Sequence, residues 1–345
     1  GADLPWERVW WGEAGVGICP PHSPSPAAGL WSLTYEQELT TPLHITAGRG
    51  YLDCLQHLLL RGAAVDLAPG GTTALHEACA AARTDCARLL LSFGADPTSV
   101  SEAGHQPLHL CKSPASIQCA KLLLQYGASV NSPTEEEEDT ALHVAARHGL
   151  EEHVQLFLSH GAGLEAKNEE GQTPLNAACA QAHPAQDMER YHRVCQQLVQ
   201  SGASVEAADR DQQRPLHQAC KNASARVVEL LLAHGANVNI MSYSGNTAMH
   251  NILQVAAYKL GHRPELVVRA LLNRGAIRIW PGALVKVGSC LGAGCDRSGS
   301  PPGGRAPSPS RGLVPCLSSL LLPSNWGPLT PGASVWVPFP GWAAD

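Results

Sequence analysis

Histidine and cysteine are the residues here best suited to do chemistry, and the chain carries 16 of the first and 12 of the second. Either set could build a metal site or an acid–base pair, provided the fold brings its members together. Zinc needs Cys or His pairs two to four residues apart that converge on one point, and none is evident among the residues that recur. Instead His44, His76, His109, His143, His217 and His250 each follow a Leu or Met. Cys79, Cys179 and Cys220 fall four residues after such a position, and Cys54, Cys86 and Cys119 fall eleven after one. A fixed offset marks a packing position. The thiols read as compact buried hydrophobes, and the imidazoles as hydrogen-bonding partners of their own Thr or of a neighbouring loop. The one local cluster lies around Gln181 to Tyr191 and holds His183, Pro184, Asp187, Glu189 and His192. Nothing orders it and no nucleophile is positioned, so it reads as a polar loop. No phosphate loop and no Gly-x-Ser-x-Gly elbow occurs. The sequence predicts no enzyme, no metal and no cofactor.

Those residues must be positioned by a repeating unit, clearest over 214–239, RPLHQACKNASARVVELLLAHGANVN. Pro215 suits a first helical position, where its missing N–H is no loss. Asn222, Ala223 and Ser224 give a turn, and Val227, Val228, Leu230, Leu231 and Leu232 make a second helix too apolar to stand alone. Gly235 takes the left-handed residue that ends it. Anchors equivalent to Leu216 recur at Leu43, Leu75, Leu108, Leu142, Leu175 and Met249, at steps of 32, 33, 34, 33, 41 and 33 residues. Each is followed by a Gly-Ala pair, 19 residues on in five units, 27 in the fifth and 26 in the seventh. The long steps are insertions between the two helices of a unit. Such a pair cannot bury its apolar face alone, so the units must stack.

A period of about 33 residues with Thr41-Pro42-Leu43-His44 opening the first helix resembles the ankyrin repeat; Thr173-Pro174-Leu175-Asn176 departs at one position. The resemblance covers 41–280 and implies an all-α solenoid of about seven helix-turn-helix units. Its β-hairpin fingers and first helices would line a concave, partner-binding face. The fingers fall at 66–73, 96–106, 131–140, 165–173, 206–214 and 237–247. Their tips vary on a constant frame, as an interaction surface on a scaffold would. Candidate contacts in the fingers are Glu102, His105, Glu136, Glu137, Glu169, Glu170, Arg210, Asp211 and Tyr243. Arg147, His148, Lys221 and Asn222 close first helices, where the family presents contact residues. The run Glu135-Glu136-Glu137-Glu138-Asp139 has two readings: a solvated loop that keeps the array soluble, or a docking site for a basic partner.

Net charge is −6 and aromatics make up 5% of the chain, with no basic patch to suggest nucleic acid. No run is long enough to span a membrane and no secretory signal opens the chain, which places it in the cytoplasm, with the nucleus left open. Residues 1–29 are Pro-rich and read as disordered. Gly1 is no initiator, so a fragment or processed product is expected. Leu30, Trp31, Leu33 and Tyr35 read as a cap on the first unit over 30–40. Together with 277–287 this lead-in resembles the ankyrin repeat and SOCS box family. That resemblance implies repeats that select a substrate protein, and a SOCS box that recruits elongin B/C and a cullin as a ubiquitin ligase. The box itself is not recognisable in 281–345. Only Leu291 and Cys295 have the opening spacing. Gly292 and Gly294 between them cost about 1 kcal/mol each in a helix, and Leu322-Pro323-Ser324-Asn325 misses the cullin motif. Codon constraints at 21–28 and at Val287 suggest translated intron at both ends.

Overall fold

The structure, a computed structural model, describes residues 40–181, 186–256 and 258–277. The chain divides into two compact units, Gly1–Gly275 and Ala276–Asp345, and of the second only Ala276 and Ile277 are described. The lead-in, the tail and the SOCS-box question therefore lie outside the described residues, as do His183 and Pro184.

In six of the seven repeats the first helix is α-helical: Pro42–Arg49, Ala74–Ala80, Ala141–Arg147, Pro174–Ala180, Pro215–Lys221 and Ala248–Val255. The second helices are Leu52–Leu60, Thr84–Ser92, Ile117–Gln125, Glu151–Ser159, Met188–Gln200, Ala225–Ala233 and Pro264–Asn273. First helices stack on first helices, and second on second. All seven anchors are at most 4% exposed, and each contributes about 1.5–3 kcal/mol by leaving water. The seam they form is continuous, so each unit is stable only through its neighbours. Gly235 stops its helix at φ 87°. There Ala236 N–H donates to the Leu231 carbonyl at 3.1 Å, satisfying a carbonyl the helix cannot.

The third repeat departs from the period. Its first helix is a 3-10 turn, Pro107–Leu110, followed by a second at Pro114–Ser116. Pro114 supplies no N–H and pushes Ser113 out of the helical region, so the helix cannot continue. In the fifth repeat the insertion partly lengthens the second helix, to 13 residues against the nine of Glu151–Ser159.

The anchor histidines do what their spacing suggests. Nδ1 meets the preceding threonine hydroxyl at 2.7 Å in His44, 2.8 Å in His76 and 2.9 Å in His143 and His250. Nε2 reaches the carbonyl of the next finger: His44 to Thr72 at 2.7 Å, and His76 to His105, His109 to Ser132 and His143 to Gln172 at 2.9 Å each. His217 reaches Ile240 at 3.0 Å. Asn176, where histidine is replaced, makes the same link through its amide to Ala207 at 3.0 Å. In His76, His109, His143, His217 and His250, Nδ1 also accepts a backbone N–H from the residue three before. The ring is then neutral with its one proton on Nε2, which in His76, His109, His143 and His217 is shared with the next unit. Burial accordingly holds His76, His143, His217 and His250 below the ordinary histidine value, and His109 down to about 4.

Candidate functional site

The fingers contain no β-strand among the described residues. Each of five closes on itself through one backbone bond: Ser101 N–H to His105, Thr134 to Asp139, Asn168 to Gln172, Asp209 to Gln213 and Ser242 to Asn246, at 2.8–3.1 Å. One rung is too little to register as a strand. A buried side chain backs each of the first four turns, as Asn168 Oδ1 does for Gln172 N–H at 2.8 Å.

Tips then bond to tips. Glu102 N–H donates to Gly71 at 2.9 Å, Glu135 to Gly104 at 3.2 Å, Glu169 to Glu137 at 2.9 Å, and Arg210 to Glu170 and Tyr243 to Asp211 at 3.0 Å. Six tips are thus one hydrogen-bonded row. The residue four before each anchor from Leu75 onward is left-handed: Gly71, Gly104, Gly171 and Gly245, but also Glu138 at φ 53° and Gln212 at φ 56°. At Gly104 a Cβ would lie 2.6 Å from that of Glu135, so glycine is required. Glu138 and Gln212 hold the same turn against a strain of roughly 1–2 kcal/mol each.

On this row Glu102, Glu136, Glu137, Glu169, Glu170, Arg210, Asp211 and Tyr243 are exposed, and His105 is half-buried. The first-helix ends are more occupied. Arg147 Nη1 lies 2.7 Å from Asp139 Oδ2 and 3.3 Å from Glu137 Oε2. Asp139 is 1% exposed, and its other oxygen accepts from Asn168 Nδ2 at 3.0 Å. Arg147 is thus the counter-ion of a buried carboxylate. Lys221 Nζ donates to Gln213 Oε1. Asn222 is buried; its amide donates to the Cys179 carbonyl at 2.7 Å and its oxygen accepts from Lys259 Nζ at 2.9 Å. A shallow notch lies between the third and fourth units, lined by His105, Lys112, Glu137, Asp139, Arg147 and His148 among others. Burial, followed by the nearby cations Lys112, Arg147 and Arg190, lowers the His148 pKa.

Sequence reasoning missed the bolts between units. Tyr191 hydroxyl donates to the Arg147 carbonyl at 3.2 Å and Arg190 Nη2 to that of His148 at 3.1 Å. Lys259 Nζ donates to the Lys221 carbonyl at 3.0 Å. Each places a polar or cationic group on the C-terminal end of a first helix, where the dipole favours positive charge. The insertions in the fifth and seventh units supply them. Glu189, read as part of a loose polar cluster, pairs with Arg226. Among the described residues no group of three or more His, Cys, Asp or Glu side chains is placed to hold a metal, and no helix is long and apolar enough to cross a membrane. The eight described cysteines are free and buried, with Cys179 and Cys195 in sulfur–sulfur contact at 3.9 Å.

A family description of ankyrin repeats matches residues 32–101, 108–188 and 185–279. The chain belongs to the ankyrin-repeat family. Its array is similar to ankyrin repeat and SOCS box protein 16 of Mus musculus, at 47% identity over 75% of this chain and 57% of the relative. It is 53% identical to ankyrin repeat and SOCS box protein 10 of Homo sapiens, over 76% of this chain and 57% of that one. The human ASB11 ankyrin repeat domain superposes with a TM-score of 0.58 at 28% identity, over 70% of this chain and all of that domain. These relatives bear out the resemblance drawn from the repeats and their flanks. The chain spans somewhat over half the length of each of the two relatives. It is a protein-binding ankyrin scaffold.

Proposed function

We propose that the array selects a protein partner for ubiquitin transfer, as the substrate-recognition subunit of an elongin/cullin SOCS-box ligase does. The observation that supports this is the 47% identity of the repeats to ankyrin repeat and SOCS box protein 16. The partner lies across the finger tips, with Glu102, Glu136, Glu169, Glu170, Arg210, Asp211 and Tyr243 as contacts; His105 and His148 line the notch below. Four of these seven tip residues are glutamates in three fingers, and exposed charge of one sign speeds encounter with the opposite sign, so a basic partner is favoured. The place of action is the cytoplasm or nucleus. A second reading, a module that holds its partner without delivering ubiquitin, is favoured by the Gly/Pro/Ser-rich sequence of residues 281–345, where Gly292 and Gly294 fall between Leu291 and Cys295. Pull-down of the full chain separates the two. Elongin C recovered stoichiometrically with the full chain is the result the first reading expects; a partner held with no elongin C would overturn it in favour of the second.

A further inference from the structure

Large apolar side chains left in water are unevenly distributed along the array. Between Tyr126 and Met241 the described residues expose none. On the fingers they occur at one end as Leu67 and Val100, 46% and 47% exposed, and at the other as Met241 and Tyr243, 58% and 76% exposed. Leu67, Val100 and Met241 each stand eight residues before their anchors Leu75, Leu108 and Met249, so they occupy one side of equivalent fingers. Phe93 and Tyr126, also exposed, close second helices and belong to another edge. The tips between these apolar ends carry Glu136, Glu169 and Glu170. The backbone at Tyr243 is anchored, its N–H bonded to Asp211 at 3.0 Å and the adjacent Ser242 N–H to Asn246 at 3.0 Å. An exposed tyrosine on an anchored backbone offers large contact area with only two side-chain torsions to order, and clustered apolar area in water marks a site of association.

We propose that the finger face takes an extended partner segment with a basic middle and apolar ends, and that Met241 and Tyr243 at one end and Leu67 and Val100 at the other are its apolar contacts. The inference rests on the reading of the finger face as the partner-binding surface. The division of labour follows from the chemistry: rim carboxylates set the rate of encounter, while buried aromatic and thioether area sets residence.

The test selects a phage-displayed library of random peptides on the full chain. Enriched peptides should carry a Lys/Arg block flanked by aromatic or aliphatic residues. Met241→Ser with Tyr243→Ser should weaken them about tenfold through faster dissociation, and Glu136→Lys, Glu169→Lys and Glu170→Lys should slow their association. Because both replaced side chains stand in solvent, the melting temperature should stay unchanged. Peptides sensitive to the glutamates but indifferent to Met241 and Tyr243 would overturn the inference and leave the finger-face reading standing. Peptides indifferent to both sets, or no enrichment at all, would overturn both. A dimeric chain that becomes monomeric on Tyr243→Ser would assign the apolar ends to a second copy and overturn the proposal.

Discussion

Arg147→Ala should cost the array about 3 kcal/mol or more, because removing one partner of a buried ion pair strands the other. The stranded group is Asp139, 1% exposed, which would keep only the Asn168 amide at 3.0 Å. Its sequence position among four glutamates gives no hint of this. Glu137→Gln, which removes the solvent-exposed partner at 3.3 Å, should cost under about 1 kcal/mol. Urea denaturation of the two variants reads the difference directly. Adding Asp139→Asn to Arg147→Ala should recover most of the loss, since the buried charge is then gone. A loss below about 1 kcal/mol for Arg147→Ala would mean that Asp139 is solvated in solution and that Arg147 is free to meet a partner.

Acid should weaken the array well above the range in which carboxylates titrate. An unfolded histidine titrates near 6.5, whereas His109 and His153 in the fold titrate at about 4. Between those values the unfolded chain binds more protons than the folded one, so stability is full above pH 6.5 and falls as pH falls. His109 alone forfeits about 2 kcal/mol by pH 5. His76, His143, His217 and His250 are shifted in the same direction and add to it. The structural reason is common to these five of the six anchor histidines, His109 with His76, His143, His217 and His250: Nδ1 already accepts a backbone N–H, so a proton there would face a donor. The urea midpoint should drop steeply from pH 6.5 to 5. His109→Asn should flatten part of that slope, because Asn176 makes the equivalent link to the next finger without titrating. A midpoint constant from pH 7 to 5 would contradict the assignment.

The parts of the fold that the sequence announced are those written seven times. A buried leucine or methionine and a left-handed glycine recur in all seven units, a histidine beside the anchor in six and the 19-residue spacing in five; these are local devices, and repetition separates them from chance. The third repeat shows the limit. Pro114 states the truncation of its first helix in ordinary helix chemistry, yet the intact period around it suggests a full unit. The candidate site was half readable. Exposure of Glu136, Glu169, Glu170 and Tyr243 follows from their place at finger tips, a purely local matter. Burial of Asn222 does not, because it depends on the Cys179 carbonyl 43 residues earlier and on Lys259 37 residues later. The pairing of Arg147 with Asp139 likewise needs a finger to fold back over its own helix. The bolts from Tyr191 and Lys259 come from insertions that break the period, where repetition offers no guide.

The most direct measurement of the central claim is affinity capture from cells with two chains, one native and one carrying Glu136→Lys, Glu169→Lys and Glu170→Lys. Glu137 is left alone because it neighbours Arg147, so the three substitutions change the rim without disturbing the buried pair. If the finger tips select a basic partner, proteins rich in Lys and Arg should be held by the native chain, released as salt rises toward a Debye length of about 3 Å near 1 M, and lost roughly tenfold or more on reversal. The same proteins captured in the same yield by both chains would contradict it, and would return the acidic tips to the role of a solvated loop.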